Sequence, residues 1–236
     1  MSAATIRTVA ETGSTNADML ALAASGAAEG LWLRAERQTA GRGRQGRAWQ
    51  SPAGNLYAST LVRVRPGDPP AASLALVCAV ALADTIGALG CPAVTIKWPN
   101  DLLLGGAKLA GILLERSGDA IVAGFGVNLT SHPAIEGRET ASLAGMLFVH
   151  SAAELLDQLD SDLARWLAMW RDAGLAPVIA RWETQAHPRG TPLVANLSDG
   201  TSVTGQFDGL ASDGALRLRL ADGTVRAIHA ADVFVL

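Results

Sequence analysis

Apolar positions recur along this chain with two periods, and the switches between them mark its elements. Leu31-Trp32-Leu33 opens a strand running to about Arg37, and residues 55–63 alternate as a second strand. Pro66 and Pro70 then break the chain. Residues 73–89 are apolar nearly all round, with Gly90 and Pro92 as stops, which predicts a helix buried on a sheet. Residues 94–98 read as a strand halted by Pro99, because proline cannot donate to a ladder. With the return strand 108–115 and a third strand 120–129, joined through Gly105-Gly106 and Ser117-Gly118-Asp119, they predict an antiparallel meander. Two helical stretches frame the region. Residues 18–24 follow the capping run Ser14-Thr15-Asn16. Leu156, Leu159, Leu163, Trp166 and Trp170 recur at helical spacing behind a Ser151-Glu154 capping box, up to Gly174, with the tryptophans as core. Pro177 opens a last helix to about Gln185.

The texture changes at His187-Pro188-Arg189-Gly190-Thr191-Pro192, which reads as a linker. Short strands follow, separated by Asp-Gly turns at 199–200, 213–214 and 222–223. They predict a small β-barrel at the end of the chain, with Arg217 and Arg219 on its solvated face. The expected division is therefore 1–187 and 188–236.

Composition narrows the function. The 236 residues carry a net charge of −3, so a general nucleic-acid binder, usually basic overall, is disfavoured. No basic stretch followed by an apolar run opens the chain, and the apolar run at 74–83 is too short to span a bilayer. Cys78 and Cys91 form no CxxC pattern; both are expected as reduced thiols in a cytoplasmic protein. The histidines are scattered, with no metal cage and no Ser/His/Asp signature.

One stretch cannot be core. Gly41-Arg42-Gly43-Arg44-Gln45-Gly46-Arg47-Ala48-Trp49 packs three glycines and three arginines before an indole. Such a loop can lay its backbone on a ligand. Its guanidinium forks suit carboxylate and phosphate oxygens, and its indole suits a base. Taken alone, the pattern fits an anionic small molecule, a nucleic-acid backbone or a solvated turn. Lys97 and Lys108 are the only lysines among 19 lysines and arginines, and both fall in the second informative stretch. Gly111, Gly124 and Gly126 weaken their strands unless something must approach the backbone. Asn128 is a polar group in an apolar strand.

These stretches occur in order: the glycine-arginine loop, Lys97-Trp98-Pro99-Asn100-Asp101, Lys108-Leu-Ala-Gly-Ile-Leu-Leu-Glu115 and Gly124-Phe-Gly-Val-Asn128, with Ser14-Thr15-Asn16 and Gln38 upstream. The set resembles the biotin protein ligases. That resemblance implies an α+β fold: a mixed, largely antiparallel sheet flanked by helices, related to class II aminoacyl-tRNA synthetases and lipoyl ligases. Residues 1–187 would be the catalytic biotin/ATP-binding domain and 188–236 an SH3-like barrel. It implies that biotin and MgATP give biotinyl-5′-adenylate, and that a lysine of a biotin carboxyl carrier domain, such as that of acetyl-CoA carboxylase, then takes the biotin. By the same resemblance Ser14, Thr15, Asn16, Gln38, Arg42, Gly43, Arg44, Lys97 and Gly111 would meet biotin. Arg44, Arg47, Trp49 and Asn128 would meet ATP or the adenylate, with Lys97 and Arg44 catalytic. Asn100, Asp101 and Lys108 receive no role, and no residue is assigned to Mg2+. A homodimer is allowed. Some members carry an N-terminal helix-turn-helix; here Ser14 comes too early for one, so DNA binding is not expected. A lipoate-type ligase of the same fold and a non-catalytic biotin- or nucleotide-binding module stand as alternatives.

Overall fold

The computed structural model describes residues 5–91, 94–146 and 148–236. Strand β1 (Ile6–Thr12) leads into helix α1 (Thr15–Ala24), β2 (Trp32–Gln38) and β3 (Leu56–Arg63). Helix α2 (Leu74–Ala88) precedes β4 (Val94–Lys97), β5 (Asp101–Leu104), β6 (Ala107–Ser117) and β7 (Ala120–Val127). Helices α3 (Ala152–Ala173) and α4 (Ala176–Thr184) follow, and β8 (Pro192–Asn196), β9 (Ser202–Leu210), β10 (Leu216–Arg219), β11 (Val225–Ile228) and β12 (Asp232–Val235) end the chain.

The first seven strands make one sheet in the order β1-β2-β3-β7-β6-β5-β4, antiparallel except for the parallel pair β1 and β2. Strand residues alternate between its faces. Leu33, Leu61 and Val122 pack with Met19 of α1 on one side. Trp32, Val62 and Ala123 pack with α2, α3 and α4 on the other, where most of the core lies. The stretch Ala71–Ala88 is apolar enough to cross a membrane, with a mean hydropathy of 1.9, but it is a mostly buried core helix here. The Ser151-Glu154 capping box forms as expected, and Trp166 and Trp170 are buried. Pro92, expected to stop α2, lies outside the described residues.

Two differences from the sequence reading have physical causes. Strand β1 was not anticipated. It is an edge strand whose partly buried residues Ile6, Val9 and Thr12 fall three apart, so no two-residue alternation announces it. The expected three-stranded meander has four strands, because β5 pairs back on β4 through the turn after Trp98 as well as on β6. The short strands expected to build a small C-terminal barrel are all present, without closure among the described residues. Strands β8 to β12 form a five-stranded antiparallel sheet in the order β11-β10-β9-β8-β12, and among the described residues the end strands β11 and β12 are not bonded to each other. Arg217 and Arg219 do face solvent, yet each also holds Asp208 at 2.9 Å.

Candidate active site

A cavity of about 400 Å³ opens on the α1 face of the large sheet. Its floor is β6 and β7 where Gly111, Gly124 and Gly126 remove side chains, and Gly111 and Gly126 are direct register partners. The loop 42–49, the turn 135–138 and the start of β12 close over it.

One end of the cavity is neutral and fully wired. Ser14 caps α1, so the helix begins at Thr15 with its first turn beside the cavity. The Thr15 amide donates to Gln38 Oε1 at 2.8 Å, and Gln38 Nε2 donates to Ser51 Oγ at 3.0 Å. Ser59 Oγ lies 2.7 Å from Thr15 Oγ1 and 2.6 Å from Asn16 Oδ1. Asn16 Nδ2 donates to Glu115 Oε2 at 2.8 Å. Gly124 admits this asparagine: a Cβ there would sit 2.0 Å from Asn16 Oδ1. Asn16 thus ties α1 to the sheet.

The other end is cationic. Asp101, buried at the start of β5, stands between the two lysines, with Lys108 Nζ at 2.6 Å and Lys97 Nζ at 3.2 Å. Burial alone would raise the Asp101 pKa; the charges of Lys108 and Lys97 outweigh it and hold the carboxyl below its ordinary value. Burial pulls the Lys108 ammonium below its ordinary value, against the attraction of Asp101. Arg42 reaches Glu115 at 3.5 Å. Arg44 donates to Asn100 Oδ1 at 3.2 Å, and Asn100 Nδ2 in turn bonds the Ile112 carbonyl of β6 at 2.6 Å. Asn100 is therefore a bracket between the loop and the floor. Gly43 N donates to Arg47 O at 2.7 Å, which closes the loop on itself.

Trp49 joins the two ends. Its indole lies on the floor, where a Cβ at Gly126 would come within 2.6 Å of it and one at Gly111 within 3.2 Å. Lys108 Nζ lies 5.4 Å from its ring centre. The Trp49 Nε1 is buried against β7 with no hydrogen-bond partner among the described residues.

Of the residues expected to meet a ligand, Ser14, Thr15, Asn16, Gln38, Arg42, Gly43, Arg44, Arg47, Trp49, Lys97 and Gly111 all line this cavity. Asn128 does not. It sits just past β7, 2% exposed, with Nδ2 on the Ala141 carbonyl at 3.0 Å and Oδ1 unpartnered. Sequence reasoning missed the contribution of Asp232, Val233 and Phe234, and that of residues 135–138. No local pattern marks them.

The chain matches the family model described as Biotin/lipoate A/B protein ligase family over residues 12–130, and the one described as Biotin protein ligase C terminal domain over residues 194–236. It is 41% identical over 239 aligned residues to the Biotin--[acetyl-CoA-carboxylase] ligase of Paracoccus denitrificans, covering 96% of this chain and 98% of that one. Among solved structures, a biotin protein ligase from Aquifex aeolicus in complex with biotin and ATP has the same fold, with a TM-score of 0.87 at 23% identity, covering 98% of this chain and 99% of that one. A biotin protein ligase from Leishmania major in complex with biotinyl-5-AMP gives a TM-score of 0.68 at 26% identity over 96% of this chain and 99% of that one. The chain belongs to the biotin protein ligase family.

Proposed function

We propose that the cavity performs both halves of biotin transfer. A biotin carboxylate oxygen attacks the α-phosphorus of ATP, the bond to pyrophosphate breaks, and biotinyl-5′-adenylate forms. The amine of a carrier-domain lysine then attacks the carbonyl, giving an amide and releasing AMP. The observation that carries this reading is the division of one cavity into a neutral hydrogen-bonding end and a cationic end joined under an indole. A ureido ring has one acceptor and two donors. Thr15, Gln38 and Ser14 supply neutral partners of both kinds for it. The carboxylate then points toward Lys97, Lys108 and the arginine loop, where negative charge gathers during attack.

Lys97 acts as the point charge between the carboxylate and the α-phosphate, with Asp101 fixing its ammonium. Lys108 shares that carboxylate and lines the same cavity, so it belongs to the same charge cluster. Arg42, Gly43 and Arg44 cover the adenylate, and Arg47 takes the outer phosphates. Trp49 stacks on the base. Asn128 supports the turn beside it rather than the base directly. Excluding water under the loop protects the anhydride from hydrolysis. The residues do not form a metal cage: no cluster of three or more His, Cys, Asp or Glu is found among the described residues, and Asp101 and Asp232 are neutralised by cations. Magnesium would come with the nucleotide, as MgATP. We divide the chain into a catalytic part, 1–187, and a C-terminal part, 188–236, and take the carrier domain of acetyl-CoA carboxylase as the acceptor.

The test is substrate choice. With MgATP the protein should release pyrophosphate in response to biotin and label a biotin carboxyl carrier domain. Lipoate should give neither, and transfer of lipoate to a lipoyl domain at a comparable rate would reject the assignment.

A further inference from the structure

Three cations of the cavity, Arg44, Arg47 and Lys97, are tied to three consecutive residues near the C-terminus. Arg44 Nη2 donates to the Ala231 carbonyl at 3.3 Å. The Asp232 carboxylate pairs with Arg47 and lies 3.8 Å from Arg44. Lys97 Nζ donates to the Val233 carbonyl at 3.1 Å. The Phe234 ring then lies 5.8 Å from Lys97 Nζ and 5.9 Å from the Arg138 guanidinium. Asp232 is the only acid in this run, and it lies 185 residues from Arg47 in the chain. Two guanidiniums held side by side repel each other unless an anion lies between them. Asp232 is that anion. It opens β12, an end strand of the small sheet that is paired only to β8.

We infer that Asp232 is a resident counter-ion that exchanges with the phosphates of the nucleotide for Arg44 and Arg47. This rests on the reading of those arginines as the phosphate site and adds to it a positioning residue outside the sequence motifs. A carboxylate presents two oxygens to a guanidinium much as a phosphate does, so the two compete for one set of donors. Asp232 then has two effects. It keeps the arginines together and aimed at the cavity when phosphate is absent. After adenylate formation it retakes them, which weakens their hold on pyrophosphate and favours its departure. The same exchange couples phosphate binding to the position of β12, and so to the C-terminal sheet.

Competition and simple support predict opposite signs. If Asp232 competes, Asp232→Asn should bind pyrophosphate about tenfold more tightly, the equivalent of one charge-assisted bond no longer opposed. Asp232→Glu should stay within about twofold of the wild-type chain, and so should Glu36→Gln, a loss of negative charge on the exposed part of β2 where screening mutes its effect. Calorimetric titration of the full chain with pyrophosphate reads all three. Unchanged or weaker binding by Asp232→Asn overturns the inference while leaving the phosphate site intact. Failure of the wild-type chain to bind pyrophosphate removes both. A wild-type readout stands even if the variant does not fold: saturating pyrophosphate should speed amide exchange over residues 231–235 as the strand loses its arginine ties, and unchanged or slower exchange there overturns the inference.

Discussion

The two ends of the cavity are held together by different physics. At the neutral end the run from Ser51 through Gln38 and Thr15 to Ser59 is held by short bonds between uncharged groups, and only Asn16 reaches a charged partner, Glu115. Such bonds are short-ranged and indifferent to salt, and they fix geometry. At the other end Lys97, Lys108, Arg44 and Arg47 are held by two internal acids, Asp101 and Asp232. Of these, Asp101 is buried and permanent, whereas Asp232 sits on an end strand. The difference teaches that the cavity separates recognition from charge handling. In the function proposed above, the uncharged bracket selects the ring and the cluster of compensated cations receives the anions.

The comparison breaks most severely at Asp101. Asp101→Asn leaves two largely shielded ammonium groups facing one amide. Removing one member of a buried ion pair typically costs about 3–5 kcal/mol, so the variant should lose stability on that scale at pH 7 in chemical denaturation. The pH dependence has a defined sign. The folded pKa of Asp101 lies below its unfolded value, so its contribution is complete above the ordinary carboxylate range and is lost as pH falls through the folded value. The gap between wild type and Asp101→Asn should therefore narrow in acid. A gap that stays constant from neutral pH into acid would mean that Asp101 is not the ionised partner of the lysines.

Next in size is Lys97→Ala. If its ammonium stabilises charge on the α-phosphate during attack, removal should slow adenylate formation by about 10²–10³, the usual cost of losing one preorganised donor. Lys97→Arg should not restore the rate, because a planar fork does not fit the place of a point charge between Asp101 and Val233. Pre-steady-state formation of the adenylate measures this. A near-wild-type rate, or full rescue by arginine, would leave Lys97 as the partner of Asp101 and nothing more.

How much of this was written in the sequence differs between the two ends as well. The arginine loop was legible because its composition excludes any core role, and the 97–101 stretch because it holds one of only two lysines in the chain. Their convergence on one cavity follows from the β4-β5-β6 ladder, which brings Asp101 opposite Gly111. Trp49 was read as a stacking platform, and the glycines beneath it as room for a ligand; the structure places the indole itself over Gly126. Ser59 was harder to see. A serine in an apolar strand carries no sign that it faces Thr15 and Asn16, because that contact depends on α1 crossing β3. Asp232 was out of reach for the same reason on a longer scale. Nothing near residue 232 records that the small sheet returns to the catalytic one. Strand β1 escaped because an exposed edge need not alternate.

Arg44→Ala probes the cationic end more gently than the lysine. Its guanidinium is part exposed, and Arg42 and Arg47 stay in place, so the field is reduced but not abolished. Loss of one charged hydrogen bond of about 1.5–3 kcal/mol should release the adenylate roughly tenfold faster or more. Amide exchange over residues 41–49 should also slow on addition of biotin and ATP in the wild-type chain, because the loop arginines then gain a shared anion. Wild-type-like release by the variant would place Arg44 outside the ligand's reach.

The smallest effect is expected at Gln38, and it sharpens the contrast because it should have a different kinetic form. Gln38 Oε1 accepts from the Thr15 amide and hydroxyl, and its Nε2 donates to Ser51, so the side chain fixes the start of α1 against the end of β2. Gln38→Ala deletes these bonds without touching a charge. The ureido ring lies away from the reacting carboxylate, and its contacts are the same in substrate and transition state. A loss of about 1 kcal/mol of such uniform binding should raise the KM for biotin roughly fivefold and leave kcat unchanged. Steady-state kinetics at saturating ATP separates the two parameters. The pyrophosphate affinity of Gln38→Ala should match that of the wild-type chain, since no arginine partner has changed. If kcat falls by the same factor as kcat/KM, the neutral bracket senses the transition state, and the division of labour between the two ends does not hold.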